Sequence, residues 1–507
     1  MQQKESKRPN VLSRVGIILA VLLIALTVLV QYQIHANPPP LSINMSSAMG
    51  MATTKNPVTA LALPEASKPN VQYTLTARVV RRVGLPDAWA YNGVVPGPTL
   101  TAHEGDHVRV TLVNNLPVAT TIHWHGVQVP NASDGVAGLT QNAVKPGASY
   151  VYDYIAKEPG TYWYHSHQET SEQEPKGLFG ALIVLPKRPL REYHDYALVY
   201  HKADLRAQTL PEFGLSRLAQ IFGKQQPDAV AINNQQSVNF PALPGQSVRV
   251  RIVNAIAGDM TGTPLSIALL GVTYKVVALD GHDLHNPQDI SGRIVQVGAG
   301  QRYDLSFIMP NSGVVKLVDV NGAETATIGH GRLDIPKDVQ KLPAFDLTDY
   351  GAPVNGGLTL SSRFDQNETI TLGFKPGGRD GEMEFIHTIN GKAFPDTPTI
   401  EVQKGEVVHL RFDNRTNEYH PMHLHGHVFA ILAVNNKAVT GSPVRMDSVL
   451  VPPRGSADVA FVADNPGLWM MHCHVLIHAA SGMDMMVVYP NVSTPFTIGT
   501  QSGNFPD

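Results

Sequence analysis

Over most of its length the chain alternates apolar and polar residues one by one. Val108-Arg-Val-Thr-Leu-Val113 and Val248-Arg-Val-Arg-Ile-Val253 put every second side chain on one face, as a strand half-buried in a sheet requires. Such runs are short and bounded by Gly and Pro, while long stretches with a helical period are scarce. The pattern predicts an all-β chain of Greek-key sandwiches or barrels. Three stretches break the alternation. Lys4, Lys7, Arg8 and Arg14 flank an uncharged apolar run from Val15 to Val30, which reads as a secretion signal or an uncleaved membrane anchor within residues 1–36. The positive flank places the rest of the chain outside the cytoplasm, secreted or anchored to the cell membrane. Residues 37–70, rich in Pro, Ser, Thr and Ala, read as a flexible linker that carries Met45, Met49 and Met51. Residues 491–507 read as a loose tail.

The strand pattern repeats. Tyr91-Asn-Gly93 is followed by Glu104-Gly-Asp-His-Val-Arg-Val110, then Val113-Asn-Asn115, then His123-Trp-His-Gly126. Near the C-terminus Ile389-Asn-Gly391 is followed by Lys404-Gly-Glu-Val-Val-His-Leu410, Asp413-Asn-Arg415 and His423-Leu-His-Gly426. The interval from Gly105 to His123 equals that from Gly405 to His423. Pro159-Gly-Thr-Tyr-Trp-Tyr-His-Ser-His167 likewise falls over Pro466-Gly-Leu-Trp-Met-Met-His-Cys-His474. A middle copy, Ile232-Asn-Asn234 and Pro244-Gly-Gln-Ser-Val-Arg-Val-Arg-Ile-Val-Asn254, lacks any His-x-His. A chain of 507 residues is too long for one core. Three related units at about 71–187, 188–350 and 351–490 account for it.

Charge and composition narrow the chemistry. A net charge of −3 gives no reason to expect nucleic acid as a partner. The single cysteine, Cys473, excludes an internal disulfide and leaves a free thiol, a ligand or a nucleophile. More than half of the 21 histidines fall in four short clusters.

The stretch Trp469-Met-Met-His-Cys-His-Val-Leu-Ile-His-Ala-Ala-Ser-Gly-Met483 brings a thiolate, an imidazole and a thioether together, which with one more histidine suits copper electron transfer. His472 and His474 project to the opposite face of the strand from Cys473. A copper on the sulfur is therefore wired through one residue's backbone to whatever the histidines hold. The pairs 123/125, 165/167, 423/425 and 472/474 each share one strand face, and eight imidazoles fit three metal ions if the outer units face each other. Ser166 stands where the third unit has Cys473, so only that unit can carry a sulfur-bound copper. Zinc is a poor alternative, because its structural sites favour several cysteines at local spacing.

These four motifs, His-Trp-His-Gly, His-Ser-His, His420-Pro-Met-His-Leu-His-Gly426 and His-Cys-His-x3-His-x4-Met, resemble those of the multicopper oxidases, the laccase and cuprous-oxidase family, over residues 71–490. The resemblance implies three cupredoxin-like Greek-key β-sandwich domains and four coppers per chain. On it, His420, Cys473, His478 and Met483 hold the type 1 copper, and His123 and His423 the type 2 copper. His125, His165, His167, His425, His472 and His474 hold the type 3 pair, and His427 lies outside the ligand set. It further implies one-electron oxidation of a small donor through His478, coupled to four-electron reduction of O2 to water. Many relatives carry an acid just after the last blue-copper histidine, where this chain has Ala479-Ala480-Ser481. Asp134 is the remaining candidate for a proton donor, though it also suits the turn before Gly135. The absence of a methionine-rich insert between 351 and 420, with Thr416 and Glu418 ahead of His420, favours laccase-like phenolic donors over Cu(I) or Fe(II). A nitrite reductase or a non-catalytic cupredoxin scaffold would lack part of this histidine set.

Overall fold

The computed structural model describes residues 41–50, 56–64, 68–189, 191–205, 229–379 and 382–507. The apolar run at 15–30 and Met51 lie outside them, and among the described residues no helix is long and apolar enough to cross a membrane. The molecule is nearly all β, as the alternation predicts, in three cupredoxin-like sandwiches. In the first, strands Ala88–Tyr91, Val71–Val80, His107–Asn115 and Ser149–Ile155 form one sheet in that order, and Gly97–His103, Phe179–Leu185, Gly160–His165 and His123–His125 the other. The second pairs a six-stranded with a five-stranded sheet, all from strands between His194 and Gly329. The third pairs a seven-stranded with a five-stranded sheet between Gln366 and Val488, with Leu468–Cys473 beside His420–Leu424.

The repeat has a physical basis at two asparagines. Asn92, Asn233 and Asn390 each adopt a positive φ (53°, 49° and 51°), and each side chain accepts a backbone N–H from the facing strand, of Thr76, Val199 and Thr371. Asparagine tolerates this left-handed turn and caps it at the same time. Asn114, Asn254 and Asn414 lie at the ends of the matching central strands: each accepts the N–H two residues on and donates its amide to a distant carbonyl, of Val144, Val297 and Pro452. The middle unit keeps both devices, so its strands are laid out like those of its neighbours although it carries no His-x-His.

Two expectations are corrected. Residues 41–50 are docked rather than a free linker: Ile43 bridges Ile498, Asn44 donates to the carbonyls of Thr494 and Phe496, and Met45 is buried. Asn56–Pro57 pairs with Val492–Ser493, and Val58 is fully buried. The tail is not loose either, since Asn504 bonds the Ala143 N–H and Thr170 donates to the Pro506 carbonyl. The low periodicity that suggested disorder belongs to segments whose partners lie at the far end of the chain.

Candidate metal centre

Alternation along two short strands builds the site. In His123–His125 the middle residue, Trp124, turns into the first unit's core against Tyr152, Tyr154 and Tyr164, so both histidines face the opposite way. Burying that indole contributes about 4–6 kcal/mol from about 150–250 Å² of surface, which fixes the strand's rotation. Leu424 does the same in the third unit between His423 and His425. Register then sets the pairs: His123 lies opposite His165, and His423 opposite His472. Where the outer units meet, the two His-x-His strands stack crosswise. His123 lies on His425 with ring centroids 3.8 Å apart, and His125 on His423 at 3.7 Å.

Ring orientation follows from the partners. Nδ1 of His123 faces the Asp134 carbonyl (2.9 Å), Nδ1 of His165 the Ser166 carbonyl (3.0 Å) and Nδ1 of His423 the Asp447 carbonyl (2.8 Å). Nδ1 of His425 faces Asp134 Oδ2 (3.0 Å), and Nδ1 of His472 the Cys473 carbonyl (3.2 Å). Carbonyls and carboxylates only accept, so each of these nitrogens carries the proton. His125 is turned round, with Nε2 donating to Asp447 Oδ1 at 3.0 Å. Burial lowers the pKa of His125, His165, His167, His425 and His472 well below the usual histidine value and that of His474 to about 3, leaving neutral rings with one free lone pair.

Those lone pairs converge. His125, His165 and His474 bring ring nitrogens within 4.8 Å of one another, as do His167, His425 and His472, and His123, His125 and His423. His425 Nε2 and His472 Nε2 lie 3.0 Å apart. Nε2 of His123, His165 and His423 and Nδ1 of His125 are buried without a hydrogen-bond partner. Unpaired buried nitrogens aimed at common points are costly unless a cation receives them. The donor set therefore fits metal ions held by imidazole.

A second group lies within the third unit. His420 Nδ1 and His478 Nδ1 are 3.2 Å apart and lie 3.6 and 3.7 Å from Cys473 Sγ. Their outer nitrogens are taken by Thr416 Oγ1 (2.8 Å) and the Met260 carbonyl (3.1 Å). Met483 is fully buried, and its backbone carbonyl accepts from Cys473 N at 3.1 Å. Burial pushes the Cys473 thiol up, the reverse of what a nucleophile needs, whereas a bound cation would hold it as thiolate. In the first unit Ser166 fills the corresponding place and bonds Gln173 Oε1 at 2.7 Å. His427 stands apart, bonded to the His425 carbonyl and Tyr489.

Sequence profiles of the multicopper oxidase family match residues 74–189 and 364–493, the two outer units. The chain belongs to this family. It is a copper-dependent oxidoreductase with O2 as acceptor, and its cofactor complement is four coppers, types 1, 2 and 3. This multicopper oxidase is similar to multicopper oxidase MmcO of Mycobacterium tuberculosis, 29% identical over 88% of the chain and 92% of that protein. It is also similar to laccase-5 of Trametes villosa, 28% identical over 77% of the chain and 83% of the laccase. Among solved structures, a multi-copper oxidase from Pseudomonas thermotolerans superposes with a TM-score of 0.65 at 28% identity, over 82% of this chain and 98% of that one.

The structure brings all eight paired histidines together, sets Asp134 against two of them, and places His420, Cys473 and His478 in one group with Met483 beside it. It also adds residues that the motifs do not reveal. Asp447 holds His125 and His423, and Arg302 of the middle unit pairs with Asp447. Glu174 Oε2 lies 3.2 Å from His165 Nδ1, fully buried, and burial pushes its carboxyl well up. His387 stacks on His478 at 4.0 Å and meets Glu418 Oε2 at 3.1 Å. Arg302 and Asp447 carried only a hint of chemical type, a charge among apolar neighbours, and Glu174, in a polar run, carried none.

Proposed function

We propose that this multicopper oxidase is laccase-like, taking single electrons from phenolic or similar aromatic donors at His478. His420, Cys473, His478 and Met483 hold the type 1 copper, His123 and His423 the type 2 copper, and His125, His165, His167, His425, His472 and His474 the type 3 pair. The convergent, unpartnered ring nitrogens support this assignment. Domain limits of 71–187, 188–350 and 351–490 agree with sheets whose strands stay within one unit. Bound copper supplies the one-electron chemistry and the reduction of O2. The protein's own residues fix the rings, exclude water and carry charge between the sites. Cys473 joins the two groups through the backbone to His472 and His474. Asp134 accepts a hydrogen bond from His425 Nδ1 at 3.0 Å and is fully buried, so this acid lies directly against the cluster, where a proton donor for O2 reduction is needed.

The observation that carries the donor reading is the surroundings of His478. Its outer nitrogen is covered by the Met260 carbonyl, and the nearest carboxylate, Glu418, lies 3.8 Å away and is already engaged by His387. His478 is itself fully buried, so an aromatic donor would dock over the Met260 carbonyl that covers the ring, with Glu418 turned to His387 rather than offered to a cation. Oxidation of Cu(I) or Fe(II) is the second reading, favoured by the exposed Asp259 next to Met260. The chain works outside the cytoplasm in either case, and the basic flank of the N-terminal apolar run supports that placement. Steady-state kinetics with a methoxyphenol, Cu(I) and Fe(II) on the full chain tests the donor. Phenol turnover without added copper is expected. Phenol turnover only with excess copper, together with efficient Cu(I) oxidation, would reverse the reading.

A further inference from the structure

The middle unit contributes no histidine to the cluster, yet its backbone touches two of the rings. Gly300 has φ +81°, and a Cβ there would lie 2.9 Å from His474 Cδ2 and 3.0 Å from His125 Cε1. Two residues on, Arg302 is completely buried, with its guanidinium forked onto Asp447 of the third unit. Nη1 donates to Oδ1 at 2.8 Å and Nη2 to Oδ2 at 2.6 Å. The same Oδ1 accepts from His125 Nε2 of the first unit at 3.0 Å, and the Asp447 carbonyl accepts from His423 Nδ1 at 2.8 Å.

Arg302 is itself held on every side. Its backbone N–H donates to Asp280 Oδ1 at 2.8 Å, Nη2 donates to the Asp280 carbonyl at 3.0 Å, and Nε to the Thr161 carbonyl of the first unit at 3.0 Å. Asp280 Oδ2 accepts from Ser448 N at 3.1 Å, closing the ring of bonds around Asp447. A lone carboxylate can rotate about its side-chain bonds, whereas a two-pronged guanidinium pair fixes its plane.

We propose that Arg302 is a positioning residue for the three-copper cluster: by clamping Asp447 it holds His125 in its reversed orientation, with Nδ1 inward. The unit without ligands thereby sets the geometry of histidines on the other two. Carboxylates behind ligating histidines orient the ring and raise its basicity, and this one is oriented in turn by a cation from a third unit. The inference rests on His125 and His423 being copper ligands, as proposed above.

Arg302→Lys keeps the charge but offers a point rather than a fork. Copper affinity by chelator competition and the type 2 copper EPR signal are measured on the full chain. The variant is expected to hold cluster copper about 10–100-fold more weakly than the unsubstituted chain. Its type 2 hyperfine splitting shifts, while the blue band, which reports a site that Asp447 does not touch, stays unchanged. Unaltered cluster affinity and an unaltered type 2 signal would overturn the proposal. Should Arg302→Lys not fold, the double variant Arg302→Gln with Asp447→Asn removes both charges of the fork together and leaves Asp280 held by the backbone N–H groups of residue 302 and Ser448. It is expected to lose cluster affinity too, and full affinity in it would overturn the proposal equally. An unsubstituted chain that fails to bind four coppers would instead sink the ligand assignment, and it does so before any substitution is made.

Discussion

Gly300→Ala is a small change with a large expected effect on the cluster. The residue sits at φ +81°, so an alanine there costs about 1–2 kcal/mol in backbone strain alone. The added Cβ would come 2.9 Å from Cγ and Cδ2 of His474 and 3.0 Å from His125 Cε1. Ordinary contact begins near 3.4 Å, so both rings must withdraw by about 0.4–0.5 Å or the loop must lift. His125 has little room, because it is stacked 3.7 Å from His423 and bonded to Asp447, and His474 already packs against Trp163 and His165. Overpacking of this kind adds about 1–3 kcal/mol. The sum, about 2–5 kcal/mol, predicts a lowered unfolding temperature of the apoprotein by several degrees. Because both strained rings belong to the proposed type 3 site, the holoprotein is expected to lose copper there while keeping its blue colour. Differential scanning calorimetry of the apoprotein and copper quantification of the holoprotein separate the two effects. A variant with an unchanged transition and full copper would refute the close approach of the middle unit to these rings.

Cys473→Ser is expected to bleach the protein and abolish oxidase activity while cluster copper remains bound; a variant that stays blue would rule out the sulfur site. Glu158 bonds His282 of the middle unit at 3.1 Å and Arg445 of the third at 3.3 Å, and the bond to His282, ahead of the Arg445 charge, lowers its carboxyl to about 2. A depressed pKa gives stability that is present above the unfolded value near 4.5 and lost as pH falls towards 2. Glu158→Gln should therefore flatten the fall in unfolding temperature across that window, and an identical pH profile would dismiss the junction. Met45→Ala is expected to cost about 2–5 kcal/mol, because the side chain is buried at 2% exposure; denaturant unfolding unchanged from the parent would mean the arm contributes nothing.

What the sequence revealed was whatever depends on near neighbours or on repetition. Period-two runs predicted strands, and Asn92, Asn233 and Asn390 announced the three units because each performs the same turn chemistry locally. The ligand motifs were legible for the same reason: alternation in His-Trp-His forces both rings to one side of a strand. The clamp behind them was not legible. Arg302 and Asp447 are 145 residues apart, and nothing near either records that they meet. Glu174 was missed because an acid in a polar run looks solvated until the fold buries it. Met45 was misjudged because a strand-free arm and an unattached arm read alike. Only the tail that receives it, hundreds of residues away, tells them apart.

The docking of that tail orders events in time. Phe505 N donates to Gln168 Oε1, a partner made 337 residues earlier in synthesis, and Thr170 closes on Pro506 beside His165 and His167. The first sandwich thus emerges with four of the cluster's histidines and no counterpart for them. His423, His425, His472 and His474 follow only after the whole middle unit. Metal supplied early would meet half a site, open to water and to any competing ion. Metal supplied after residues 494–506 have seated meets eight rings already turned inward. Maturation of this chain is therefore a matter of sequence in both senses, with a segment translated after the third unit sealing chemistry that the first unit began.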